Sequence, residues 1–138
     1  TADIEETRSL IVSLGEVVQA DADKEWAWYF LAENFANLNM FPEEQIAYRQ
    51  AANRIEGGPE KALILGRVAL AMYITAGLEF TPEILEVVEE ARALNPNEIS
   101  ILQLLAADAQ SLRWLHEQVW LSAADSPWGK RLANRIAN

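Results

Sequence analysis

Apolar side chains recur every three or four residues along almost the whole chain, and this spacing predicts helices throughout. Ile4, Ile11, Leu14 and Val18 form a first stripe. Asp21-Ala22-Asp23 breaks it and offers a cap for the next helix. Trp28, Leu31, Phe35 and Leu38 carry a second helix to Asn39. Pro42 suits the first turn of a third helix, which runs through Ile46, Tyr48 and Ala51 to Ile55. Gly57-Gly58-Pro59 is a stop and restart signal. A fourth helix spans roughly Glu60 to Ala76 and stops at Gly77. Thr81-Pro82-Glu83-Ile84 opens a fifth, and Asn95-Pro96-Asn97 ends it. A sixth begins near Glu98 and reaches about Gln110. A short seventh holds Trp114, His116 and Trp120, and Ser126-Pro127 opens a last helix with Leu132 and Ile136. No segment alternates apolar and polar residues as a strand would, so the fold class is all-α.

One phrase repeats. Trp28-x2-Leu31-Ala32-x2-Phe35 returns 34 residues later as Ala62-x2-Leu65-Gly66-x2-Ala69, and after 40 more as Leu102-x2-Leu105-Ala106-x2-Ala109. Tyr48-x2-Ala51 likewise returns 40 residues on as Val88-x2-Ala91. One six-residue insertion between Ala69 and Val88 explains both longer steps. A 34-residue period is that of the tetratricopeptide helix-turn-helix unit. The expected architecture is a right-handed superhelix of about three helix pairs with capping helices at both ends. Its parts are an N-terminal cap (1–22), repeat 1 (25–58), repeat 2 with the insertion (59–97), a shortened repeat 3 (98–125) and a C-terminal helix (126–138).

A single pair cannot bury its apolar face, so neighbours must stack. Trp28, Phe35, Phe41 and Tyr48 read as core, with Trp28, Leu31, Leu65 and Leu105 almost fully buried. Small residues at Ala32, Gly66 and Ala106, and at Ala51 and Ala91, permit close helix approach. Gly66→Ala is then expected to be tolerated and Gly66→Leu to disrupt packing. Trp26 and Tyr29 flank the core face, on the edge that lines the concave groove of such repeats.

Composition narrows the partners. The chain is 51% hydrophobic with a formal net charge of −10 and a pI of about 4.5. No Lys/Arg cluster offers a nucleic-acid footprint, and the acidic balance disfavours anionic membranes. A neutral or basic protein partner is expected. Cysteine is absent, which removes disulfides, thiolate metal sites and cysteine nucleophiles. The longest apolar runs fall short of a membrane span of roughly 18 to 20 residues. The chain begins at Thr1 rather than Met, which suggests a processed or truncated product with an upstream anchor removed.

Catalytic patterns are missing. His116 is the single histidine, so a two-His metal site is impossible. Asp21 and Asp23 resemble the start of a calcium loop, but Trp26 and Ala32 occupy the positions that need Gly and Glu. Gly57-Gly58 lacks the Lys-Ser/Thr of a phosphate loop. Glu43-Glu44 and Glu89-Glu90 read as solvated helix faces, and Ser126 as a helix cap. No catalytic residue, metal site or cofactor is expected.

Four segments together resemble a specific family. They are "ADKEWAWYFLAENFANLNMFPEEQIAYRQA" after the opening helix, "YITAGLEFTPEILEVVEEARALNPNE" with the insertion, "NEISILQLLAADA", and "DSPWGKRLANRIAN". In this order they resemble the periplasmic tetratricopeptide domain of bacterial c-type cytochrome maturation proteins. These are haem-lyase accessory subunits, including the branch serving cytochrome c nitrite reductase. Three features depart from the pattern. Few residues separate Arg113 from Pro127, Glu44 stands where a small residue is usual, and Glu56 stands where Pro is usual.

The resemblance implies a chaperone-like, non-enzymatic domain in the periplasm, tethered by an anchor outside this chain. It would hold the C-terminal peptide of an apocytochrome c while other haem-lyase subunits attach the haem. Groove residues would be Trp26, Tyr29, Glu33 and Asn37 in the first unit, Arg67 in the second, and Gln103, Gln110 and Ser111 in the third. Arg67 reads equally as an anchor for the peptide carboxylate and as a surface ion pair with Glu33 or Glu60. The alternative function is a generic tetratricopeptide adaptor or scaffold. The Lys/Asn clamp by which some adaptors grip acidic tails is not met, since Tyr29 and Glu33 stand there. An all-helical enzyme is the third class and lacks any nucleophile, base or metal constellation.

Overall fold

The computed structural model describes residues 2–109 and Arg135. These residues are helical, with short turns between helices, and contain no strand. The helices are α1 (Ala2–Ala20), α2 (Glu25–Asn37), α3 (Phe41–Asn53), α4 (Gly58–Thr75) and α5 (Pro82–Leu94). Residues 99–109 are helical too. The expected short seventh helix and the closing helix lie outside the described residues, Arg135 apart. The chain divides into two compact units, Thr1–Ile101 and Leu102–Asn138. No helix among the described residues is long and apolar enough to cross a membrane.

Local chemistry sets the helix ends. Thr81 Oγ1 accepts the Ile84 amide at 3.2 Å and caps α5, with Pro82 in its first turn. The ends of α2 and α4 share one solution. Asn39 (φ 56°) and Gly77 (φ 72°) adopt the left-handed conformation just past each helix. Met40 N–H then reaches back to Phe35 O, and Leu78 N–H to Tyr73 O, both at 2.9 Å. Each pair is a Schellman closure that satisfies carbonyls otherwise left without donors. The start of α2 differs from expectation. Its N-cap is Lys24 and makes no side-chain cap. The Asp21 carboxylate instead accepts the Asp23 amide at 3.1 Å, which tightens the turn rather than the helix.

Each of the five helices packs on its neighbours in sequence and on no other of the five. This one-dimensional stacking is the expected property of a helical repeat. The core of the first unit centres on α4, whose buried residues include Ala62, Leu65, Gly66, Val68, Ala69 and Tyr73. Tyr48, Ala51, Ile84, Val88 and Ala91 meet it from α3 and α5. Among the described residues of α1 only Val18 is buried, and of the other four helices α1 packs on α2 alone.

Five packing expectations need correction. Trp28 is only half-buried. Its indole N–H donates to Ala22 O at 2.8 Å, and the Arg54 guanidinium lies 5.3 Å from its ring centre. Arg54 Nε donates to the same carbonyl. A buried indole needs an acceptor, and the nearest one sits at the edge of the α1–α2 turn. Phe35 and Phe41 are likewise half-buried, near the helix ends.

Among the described residues 99–109, the buried positions lie one residue away from those expected. Ile101 and Leu104 are buried, Leu105 is half-buried, and Leu102 is 45% exposed. The Glu98 carboxylate fixes this phase by accepting both Ser100 N–H at 2.9 Å and Ser100 Oγ at 2.6 Å. Gly66 faces Ser100 and Ile101 as a result. A methyl group on Gly66 would overlap the Ser100 hydroxyl and stand 3.2 Å from its Cβ. Even Gly66→Ala is therefore overpacked, contrary to the sequence expectation.

Candidate peptide-binding face

Trp26, Tyr29, Phe30 and Glu33 lie along one stripe of α2, since residues three and four apart share a helix face. Trp26 and Phe30 are each 46% exposed. Their ring centres stand 6.5 Å apart in an edge-on arrangement. Tyr29 meets Phe30 at 5.7 Å and, across the α2–α3 boundary, Tyr48 at 5.7 Å. Such edge-to-face pairs favour each other beyond simple area burial. Tyr48 is 1% exposed and forms the floor of the face.

Arg67 projects from α4 on the far side of Tyr48, with its guanidinium carbon 5.9 Å from that ring centre. This distance is within cation–π range. Three consecutive helices thus contribute to one surface: open aromatic rings on α2, a buried tyrosine floor on α3, and an exposed guanidinium on α4.

Two carboxylates frame it. Burial raises Glu44 above its ordinary 4.5, and the Arg67 charge pulls the other way. Burial also raises Tyr29, and the Glu33 carboxylate beside it adds to the rise. The Tyr48 hydroxyl is pushed up to about 12, first by burial, against the opposing pull of Arg67. Both phenols stay neutral at physiological pH and remain hydrogen-bond donors. Arg67 feels Glu44 without forming an ion pair within 4.0 Å to any of the described residues. The expected pairing with Glu33 or Glu60 is absent among those residues, so the guanidinium keeps its donors available. What this face can do chemically is hold: broad apolar contact with little rotamer entropy to lose, plus one planar cation suited to a carboxylate.

No family model matches the chain. It is 32% identical over 107 residues to the formate-dependent nitrite reductase complex bifunctional subunit NrfFG of Haemophilus influenzae, covering 78% of this chain and 27% of that protein. It is 31% identical over 97 residues to the nitrite reductase complex subunit NrfG of Escherichia coli O157:H7, covering 70% of this chain and 48% of that protein. It is 31% identical over 96 residues to the cytochrome c-type biogenesis protein CycH of Pseudomonas aeruginosa, covering 70% and 23%. The chain belongs to the domain family shared by these cytochrome c biogenesis and nitrite reductase complex subunits. It spans about half the length of NrfG and about a quarter of the other two.

Within this domain the eight sequence-derived contact residues fall into groups. Trp26, Tyr29, Glu33 and Arg67 come together on the face just described. Asn37 continues the α2 stripe but stands at its far end. There it lines a separate cleft of about 710 Å³ with Ile4, Arg8, Phe35 and Met40. Gln103 is exposed and belongs to the second compact unit. Gln110 and Ser111 lie outside the described residues.

Phe30, Tyr48 and Glu44 are the residues missed by sequence reasoning. Phe30 follows Trp26 by one helical turn, so its phase alone could identify it. Tyr48 reads correctly as core, but its ring also floors the face. Glu44 reads as solvated, whereas it is half-buried and feels the Arg67 charge from α4. Glu90 is also misread as purely solvated: it forms a two-pronged ion pair with Arg49, both bonds 3.2 Å, tying α3 to α5.

Proposed function

We propose that this domain is a peptide-binding chaperone of c-type cytochrome maturation. Its aromatic face grips the C-terminal segment of an apocytochrome c and presents it to the haem-ligation machinery. Trp26, Phe30 and Tyr29 supply apolar contact, and Arg67 anchors the terminal carboxylate by a charge-assisted, bidentate hydrogen bond. The domain performs no covalent chemistry itself; haem attachment belongs to other haem-lyase subunits. It works in the periplasm, tethered to the membrane by a part of the protein outside this chain.

The observation that carries the reading is the exposed Arg67 guanidinium, steered by Tyr48 beside open aromatic rings and left without an ion pair among the described residues. The names of the relatives supply the biological setting. The acidic chain would draw in a basic client, an attraction that weakens as salt rises.

Calorimetry with a C-terminal apocytochrome peptide and its amidated twin tests the proposal. The free acid is expected to bind more tightly than the amide, and Arg67→Ala to erase the difference. Equal binding of both peptides, with Arg67→Ala no weaker, removes the carboxylate anchor. Failure of every such peptide to bind shifts the reading to a scaffold.

A further inference from the structure

A second, chemically different recess lies on other faces of α3 and α4. Ile46 is two residues from Tyr48, which puts it on roughly the opposite side of α3. There α3, α4 and α5 enclose a cleft of about 410 Å³. Val68, Val87 and Met72 form its apolar lining, and Ile46 stands at its mouth with 59% of its surface exposed. Ile46 thereby extends the apolar area of the recess to its mouth.

The charges around the cleft are not symmetric. Arg49 lines it, but its guanidinium is committed to Glu90 by the two 3.2 Å bonds. Glu83 and Glu86 also line it, are exposed, and form no ion pair with any described residue. Among the described residues, the rim charges without an ion pair are thus two carboxylates. They sit one helical turn apart on α5, next to the apolar recess, on a chain of net charge −10. The complement is an apolar side chain with a cationic neighbour.

We infer that the α3–α4–α5 cleft docks a segment of a partner protein that inserts one aliphatic or aromatic side chain against Ile46 and Met72 while an adjacent Lys or Arg meets Glu83 and Glu86. The inference does not depend on the reading of the aromatic face, which uses other sides of the same helices. One domain can then hold two polypeptides at once.

A display library of random peptides, selected against the full chain, supplies the probe. Selected peptides are measured by fluorescence anisotropy against wild type, Ile46→Asp, a Glu83→Lys/Glu86→Lys double variant, and Arg67→Ala. Ile46 is solvent-exposed, and circular dichroism confirms that each variant keeps its helix content. The expected result is a peptide class with an apolar residue next to Lys or Arg. Its affinity should fall about tenfold or more in both cleft variants, fall with added salt, and stay unchanged in Arg67→Ala. The inference is overturned if no selected peptide is sensitive to Ile46→Asp, or if the sensitive ones are acidic. Sedimentation that reveals a dimer dissolved by Ile46→Asp also overturns it, because the occupant is then a second copy of this chain.

Discussion

Gly66 on α4 and Ser100 meet with no space for a methyl group between them: a Cβ on Gly66 would stand 3.2 Å from that of Ser100 and overlap its hydroxyl. The hydroxyl cannot swing aside freely, since it donates to Glu98 at 2.6 Å. Gly66→Ala should therefore lower stability by about 1–3 kcal/mol through overpacking, despite a helix-propensity gain of up to about 1 kcal/mol. Ser100→Gly in the same background should recover most of that loss. Urea unfolding of wild type and these two variants measures both effects. A Gly66→Ala protein as stable as wild type would refute the close-contact reading.

Burial orders the core substitutions. Leu65→Ala and Ile101→Ala should each cost roughly 2–5 kcal/mol, because both side chains are essentially sealed from water. Leu102→Ala should stay within about 0.5 kcal/mol, since Leu102 remains 45% exposed. Thermal or chemical melts decide the matter, and a reversal of Ile101 and Leu102 would restore the repeat phase read from the sequence.

Trp28 and Arg54 should be coupled. Both donate to the Ala22 carbonyl, and the guanidinium also faces the indole ring. Trp28→Phe should cost about 0.5–1.5 kcal/mol from the lost hydrogen bond. Combined with Arg54→Ala, the total should differ from the sum of the single changes, because the two groups share one acceptor. Strict additivity in a double-mutant cycle would show that the shared carbonyl has no energetic weight.

Glu44 makes the protein sensitive to pH in a defined direction. Its folded pKa is raised above 4.5, chiefly by burial. The folded state then holds this proton more tightly than the unfolded state. The contribution to stability is present at acid pH and is lost as pH rises through the folded pKa. Glu44→Gln should accordingly be more stable than wild type at pH 7, and the gap should close as pH falls toward 4.5. Denaturation midpoints across that interval provide the check. A gap that widens on acidification would contradict the burial of this carboxylate.

How much of this was legible in advance depends on the range of the physics involved. Helix positions follow from local rules, so the apolar spacing, Thr81 and Gly77 locate them to within a few residues. The phase of the third repeat is different. The pattern Leu102-x2-Leu105 and the buried pair Ile101 and Leu104 share the same three-residue spacing, so spacing alone does not choose between them. Trp26 and Tyr29 are readable as surface aromatics because they flank the core phase of α2. The environment of Glu44 is not readable, because the charge it feels comes from Arg67, more than a dozen residues away on α4.

Among α1 to α5 the closest packing is between chain neighbours, and this has a kinetic consequence. Native contacts of this kind close short loops, so relative contact order is low and folding should be fast for the chain length. Order can spread outward from the α3–α4 pair, one helix at a time. Unfolding should retrace the same route, with amide exchange fastest in α1 and slowest in α4, and with intermediate opening free energies between them. A protein assembled this way can shed an outer helix while the aromatic rings and Arg67 stay in place.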